Sequence, residues 1–439
     1  MNNNLVLNTN EKPRSAKEWI LYPLQMVMAV FVATVLIATI CGTPIDVCLL
    51  GGCLGTLVYQ CFTKFKSPMF ISNSGATVSA VIGALALGNA PNYLAVAIGG
   101  IVVAAIYILF AFVIKWRGIA VFNKIFPATI VGPITIVIGL NLATFIPSYV
   151  GLVSYDPTGI WSAININNWP ALLIAICTML LIAITSKFAK GFMKTIPFLI
   201  GLLFGYVACL VVELVGWADF SIISTWKELN SFFNIPDFAF LHWNFKDFEV
   251  SMLLDILLLF APVSICALLE HYSDHKVLSN IVGQDLTEEP GLHRSLMGDG
   301  IASMIGTWIC GLPNTSYGES TATIGFSRVA SVIVSTVAAL FLGSLAFIEP
   351  VQVFLRSIPP CVFGGCAMIL YGYIACSGLK TLIGNKTDLE DTRNLIVTSV
   401  ILTVGVSGIF LFSQSFKGVS LAMILGVVLN LILGIKKKA

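Results

Sequence analysis

The chain has 439 residues, of which 57% are hydrophobic and only 10% charged, against roughly 25% charged in soluble domains. A formal net charge of +2 excludes the strongly basic footprint of a nucleic-acid binder. Long apolar stretches recur along the whole length, so the expected class is an all-α polytopic membrane protein.

Residues 1–18 are expected to form a tail ahead of the first apolar segment; its first 17 residues are mostly polar, and no leader peptide is expected there. Apolar windows and their breakers then predict fourteen segments. The first four cover 19–40, 44–63, 69–85 and 92–115, and the third is interrupted by "SNSGATVS" (72–79), which contains Ser74 and Gly75. Segments five to seven cover 123–147, 168–187 and 192–216, followed by a loop at 218–248. Segment eight, 249–272, ends in "LLEHYSDH", where Glu270 and Asp274 are four residues apart and share a helix face. Segment nine, 294–312, carries Asp299 in "GDG" near its start. Segment ten, 314–327, is short and polar, with Glu319 in "NTSYGEST". Segments at 329–348, 359–377, 394–413 and 418–435 complete the set, before a basic tail at 436–439.

The distribution of cations supports this count. With the N-terminus in the cytoplasm, 20 of the 24 Lys and Arg fall on loops or segment ends assigned to the cytoplasmic side, as the positive-inside rule requires. Dropping either short segment would invert every later loop. Both termini are therefore expected in the cytoplasm, with the chain in the cytoplasmic (inner) membrane.

Fourteen segments divide into seven plus seven, and an odd number per half makes the second half inverted relative to the first. Local echoes agree: "PATIVGP" (127–133) resembles "PPCVFGG" (359–365), and "SAVIG" (79–83) resembles "TATIG" (321–325). In inverted-repeat transporters, paired interrupted segments mark the substrate site near the bilayer midplane. Each of the two here is expected to enter as a short β-strand and leave as a short helix.

Ionisable side chains within membrane segments are costly and mark function by default. Glu270 and Glu319 lead the candidates, with Asp274 next; Asp299 reads as structural, pairing with a basic residue or capping backbone. His271 and His275 have the i,i+4 spacing a metal could use, but no further His or Cys cluster completes a site. Packing or hydrogen bonding is the expected role of His271, and no metal or other cofactor is expected. The eleven scattered cysteines contain no CxxC pair and read as packing residues. No GxSxG elbow, Walker loop or GxGxxG motif occurs, so an enzyme is not expected, and active transport has to draw on an ion gradient.

Desolvation and neighbouring carboxylates favour the protonated form of a carboxyl. That form offers one O–H donor and one acceptor, matching the adjacent C=O and N–H of a pyrimidinedione. Deprotonation removes the donor and leaves an unpaired charge, so proton and substrate would bind together. An anion exchanger or channel is the rival from another class; its site would favour cations or bare helix N-termini over two acids.

At these residues the sequence resembles the nucleobase–ascorbate transporter family, also called nucleobase:cation symporter 2, and within it the bacterial uracil permeases. The resemblance covers nearly the whole chain. It is strongest in "EHYSDHKVLSNIVGQDL" (270–286), "PGLHRSLMGDG" (290–300), "PNTSYGES" (313–320) and "LYGYIACSG" (370–378). It implies a core domain of segments 1–4 and 8–11 (19–116 and 249–348) and a gate domain of segments 5–7 and 12–14 (117–217 and 349–435). It also implies proton-coupled, alternating-access (elevator-type) uptake of uracil, often by a homodimer, with a purine base such as xanthine or urate as the alternative. Substrate-binding residues would be Glu270, Glu319, Gly318, Tyr317, Gly75, Ser74 and Tyr371, with Glu270, Asp274 and Glu319 handling the proton. Ser320 and Ala322 stand where the family motif has Asn and Gly, Met26 where it has His, and Gly75 where it has an aromatic.

Overall fold

Ser15 opens the first helix, α1 (Ala16–Cys41), as its N-cap: its side chain accepts from Glu18 N–H, and the Glu18 carboxylate reaches back to accept from Arg14 N–H at 2.7 Å. Gly42 closes it at φ 67°, a left-handed cap suited to glycine. The computed structural model describes residues 5–88, 91–119, 126–151, 169–409 and 418–434. Beyond α1 lie α2 (Ile45–Phe62), strand β1 (Ile71–Asn73), α3 (Val78–Leu85), α4 (Tyr93–Arg117), α5 (Ala128–Ala143), α6 (Ile146–Tyr149), α7 (Trp169–Phe188) and α8 (Pro197–Val215). The loop that follows folds into α9 (Ile222–Trp226) and a 3₁₀ turn at Ala239–His242. The second half holds α10 (Met252–Val282), α11 (Leu292–Cys310), strand β2 (Asn314–Ser316), α12 (Gly318–Ser327), α13 (Val332–Leu345), α14 (Glu349–Arg356), α15 (Pro360–Gly384), α16 (Thr392–Ser407) and α17 (Val419–Leu433).

Eight helices among the described residues are long and apolar enough to cross a bilayer, and four shorter ones are also apolar. The chain is thus an all-helical, multi-pass membrane protein, apart from its two short strands. Helices pack into two groups. In one, α11 lies between α2 and α4, α13 packs on α1 and α2, and α10 on α4. In the other, α15 packs on α5 and α7, α7 on α8, and α16 on α5 and α17. The groups meet along α10 and α17 and along α1 and α8.

The strands pair antiparallel, with Ile71 opposite Ser316, Ser72 opposite Thr315 and Asn73 opposite Asn314. The pairing is extended by Tyr317 N–H to Phe70 O (3.1 Å) and Ser74 N–H to Pro313 O (2.8 Å). All six strand residues are buried, so every polar group needs a partner inside the protein. The Thr56 hydroxyl donates to Ile71 O at 2.8 Å and accepts from Ile71 N–H at 3.0 Å. The Asn314 amide donates to Gly51 O (3.0 Å) and Ala302 O (3.1 Å). A Cβ on Gly55 would fall 2.5 Å from Asn314 Nδ2, and one on Gly52 2.6 Å from Ser72 Oγ. The glycines of "GGCLG" are what let α2 close on the strands.

Several boundaries differ from expectation. α10 runs to Val282 instead of ending at 272, because His271, His275 and Leu278 continue its buried face. α15 likewise continues past 377 to Gly384, burying Leu382. α16 covers Thr392–Ser407 and stops at Gly408 (φ 71°), short of 413. The start of segment five at 123–125 and the basic tail at 436–439 lie outside the described residues.

Candidate functional site

The break between β2 and α12 sets the site. Tyr317 is extended (φ −108°, ψ 116°), and α12 starts at Gly318 with Glu319 in its first turn. The first amides of a helix have no i−4 acceptor within it; here Tyr317 N–H donates to Phe70 O and Ser320 N–H to Tyr317 O, which leaves those of Gly318 and Glu319, two residues that line the adjoining space. Opposite, α10 presents Glu270, Ser273 and Asp274. Between these elements and α1, α5, α8 and α15 lies a cavity of about 430 Å³, with Glu270, Asp274, Gly318 and Glu319 in its wall. Asp274 Oδ2 accepts from Ser316 Oγ at 3.1 Å, tying α10 to the end of β2.

A smaller hollow of about 60 Å³ adjoins this cavity. Glu270, Gly318 and Glu319 line both spaces. Gly75, Tyr317 and Tyr371 line the smaller one. Seven of the eight residues singled out from sequence therefore converge on one site. Ser74 does not line it: its N–H bonds Pro313 O and its own O accepts from Thr77 Oγ1 at 3.1 Å. It secures the strand crossing from behind.

The histidines lie on the far side of α10. His271 Nδ1 is 2.8 Å from Asp299 Oδ2, with both side chains wholly buried. His271 Nε2 is 3.0 Å from Ser295 Oγ. The rings of His271 and His275 stack at 5.1 Å, and Tyr59 meets both edge-on. Asp299 thus partners His271 and joins α11 to α10 behind the site. Among the described residues no group of three or more His, Cys, Asp or Glu is arranged to hold a metal.

Sequence reasoning missed other polar groups of the cavity, among them Thr135, Ser273, Lys194 and Lys380. Thr135 sits in the apolar run "PITIV" with nothing to distinguish it. Lys194 and Lys380 registered only as topogenic cations, yet they line the cavity. Through Lys380 and Ser377 the cavity continues into a wider vestibule of about 1000 Å³, whose wall includes Lys276, Lys386 and Arg393.

A family model described as a permease family matches residues 17–414. The uracil permease of Bacillus caldolyticus is 37% identical over 98% of this chain and 95% of the relative. That of Bacillus subtilis (strain 168) is 37% identical over 94% of this chain and 92% of the relative. Among solved structures, the transmembrane domain of a cyanobacterium bicarbonate transporter, BicA, superposes with a TM-score of 0.63 at 14% identity, covering 98% of this chain and 100% of that one; this is a likeness of fold. The match runs almost end to end and includes the motifs that build the cavity wall, so the chain belongs to this permease family, the nucleobase–ascorbate transporters, whose members are membrane carriers and not enzymes.

Proposed function

We propose that this chain takes up uracil across the cytoplasmic membrane in symport with a proton. One observation carries the proposal. Glu270 and Glu319, from a continuous helix and a broken crossing, wall the same cavity where the two strands meet. A protonated carboxyl there gives a donor and an acceptor side by side, the complement of an imide edge. The amides of Gly318 and Glu319 at the start of α12 supply further contacts, Gly75 lines the adjoining hollow, and Tyr317 and Tyr371 close the pocket. Loss of the proton leaves carboxylates in a confined space with no substrate donor to offset them. Proton and base therefore stabilise each other's binding, and that coupling free energy is what a symporter needs. The chemistry requires the proton as coupling ion and no cofactor.

The same reading makes the molecule a set of fourteen crossings. The eight long helices, the four shorter apolar ones, α11 and α12 supply that number. They form two inverted halves, with both termini in the cytoplasm. The two packing groups correspond to the core (19–116 and 249–348) and the gate (117–217 and 349–435), and the site lies between them. Alternating access would then be a displacement of the core, carrying the base, against the gate, in a chain that can act as a homodimer. Lys194 and Lys380, assigned to the cytoplasmic side by the positive-inside rule, line the cavity and support its opening toward the cytoplasm.

The test is uptake by the purified chain in proteoliposomes with an imposed pH gradient. Labelled uracil should accumulate when the outside is acidic and stop when the gradient is collapsed. Accumulation of xanthine or urate without uracil would replace the substrate in this reading. Chloride or sulfate currents indifferent to pH would replace the mechanism with anion exchange or a channel.

A further inference from the structure

The smaller hollow is lined by two unlike sets of residues. Glu270, Gly318 and Glu319, with Thr315, Ser316 and Tyr317 of the strand crossing and Tyr371 of α15, form the polar one. The other is built by α1, the 3₁₀ turn at Gly75–Thr77 and α5, and presents Ala33, Ile37, Gly75, Ala76, Ile138 and Leu142. Thr135, a polar side chain on that wall, already donates its hydroxyl to Val131 O at 2.9 Å. Gly75 leaves the wall open: a Cβ placed there would have one neighbour within 4 Å, Ile37 Cδ1 at 3.8 Å. The hollow's volume of about 60 Å³ exceeds the roughly 10–15 Å³ that a cavity needs to admit one water-sized group.

A pyrimidinedione ring has hydrogen-bonding groups on every edge except C5–C6. With its imide edge against the carboxyl groups, C5–C6 turns to the apolar wall. We infer that this site accepts pyrimidinediones carrying a small alkyl group at C5 or C6, with Gly75 as the residue that makes room for it. The inference rests on the uracil reading above and specifies the substrate class of the same site. Burying one methyl group there would strengthen binding by about 4-fold, so 5-methyluracil or 6-methyluracil should be at least as good a ligand as uracil.

The experiment is competition against labelled uracil in proteoliposomes of the full chain, followed by direct uptake of whichever methylated base competes. The expected result is half-inhibition by 5-methyluracil or 6-methyluracil within about 3-fold of the uracil concentration, with accumulation of the labelled competitor. Gly75→Ala and then Gly75→Val should raise the uracil-to-methyluracil uptake ratio stepwise, to about 10-fold for valine. If uracil accumulates but both methylated bases need more than about 30-fold higher concentrations, the alkyl-accepting hollow is refuted and the uracil reading stands. If no pyrimidinedione accumulates, the uracil reading fails and takes this inference with it. Should the Gly75 variants fail to insert, the ligand series on the native chain decides alone.

Discussion

Glu319 occupies the first turn of α12 and shares the cavity wall with Gly318, at the two positions whose amides have no acceptor within the helix. Replacement by glutamine keeps the shape and a donor but removes the titratable proton. Glu319→Gln should therefore still bind uracil while pH-driven accumulation falls about 10-fold, within the usual range of coupling energies. The check is uptake at a series of imposed gradients; an unchanged gradient dependence would show that Glu319 is not an obligatory proton carrier. Asp299 makes a different prediction, because its partner is His271 and it does not line the cavity. Leaving the buried His271 Nδ1 without its partner costs about 1–3 kcal/mol, so Asp299→Ala should lower the detergent unfolding midpoint by several degrees. The exposed Arg14–Glu11 pair, at 4.0 Å, is the control: Arg14→Ala should leave that midpoint almost unmoved.

Among elements, the strand pair is the part most exposed to disruption, since six residues of non-helical backbone depend on close partners. Gly55→Val would drive a branched side chain into Asn314, which holds β2 to Gly51 and Ala302. Overpacking of this kind costs about 1–3 kcal/mol, and here it also displaces Ser316 and with it the hydrogen bond to Asp274. The variant should lose both thermal stability and uracil affinity, measured by unfolding and by equilibrium binding. Gly384→Ala, with nothing within 4 Å of the added carbon, should be neutral or stabilise by about 0.4–1 kcal/mol. Equal losses in both variants would mean that close approach at α2 is not what holds the strands.

At the scale of the whole molecule, the cavity lies where the two packing groups face each other, with residues of both in its wall. Lys194, ahead of α8, places its Nζ 5.1 Å from the ring of Phe326 on α12. Lys380 on α15 lines the same cavity. In a background lacking the exposed Cys61 and Cys376, Lys194→Cys and Lys380→Cys should react with a membrane-impermeant maleimide in inverted membrane vesicles and stay unlabelled in intact cells. The opposite pattern would reverse the orientation taken from the cation distribution. Added uracil should slow labelling of Lys380→Cys, because substrate and label would occupy one continuous space.

Much of this was legible in the chain itself. Uncharged apolar runs allow only membrane helices, and the expense of a buried carboxyl singles out Glu270 and Glu319, since both effects act locally along the sequence. Composition could not separate Asp274 from a solvated helix end, because the helix continues ten residues past 272 only by virtue of His271, His275 and Leu278 finding partners elsewhere. Only the tertiary structure brings Gly75, Tyr317 and Tyr371 to the hollow, pairs Asp299 with His271, and turns Lys194 and Lys380 from topogenic charges into the lining of a cavity. The physical reason is distance along the chain: burial cost is a property of each residue, but a cavity is a property of elements that pack from opposite halves.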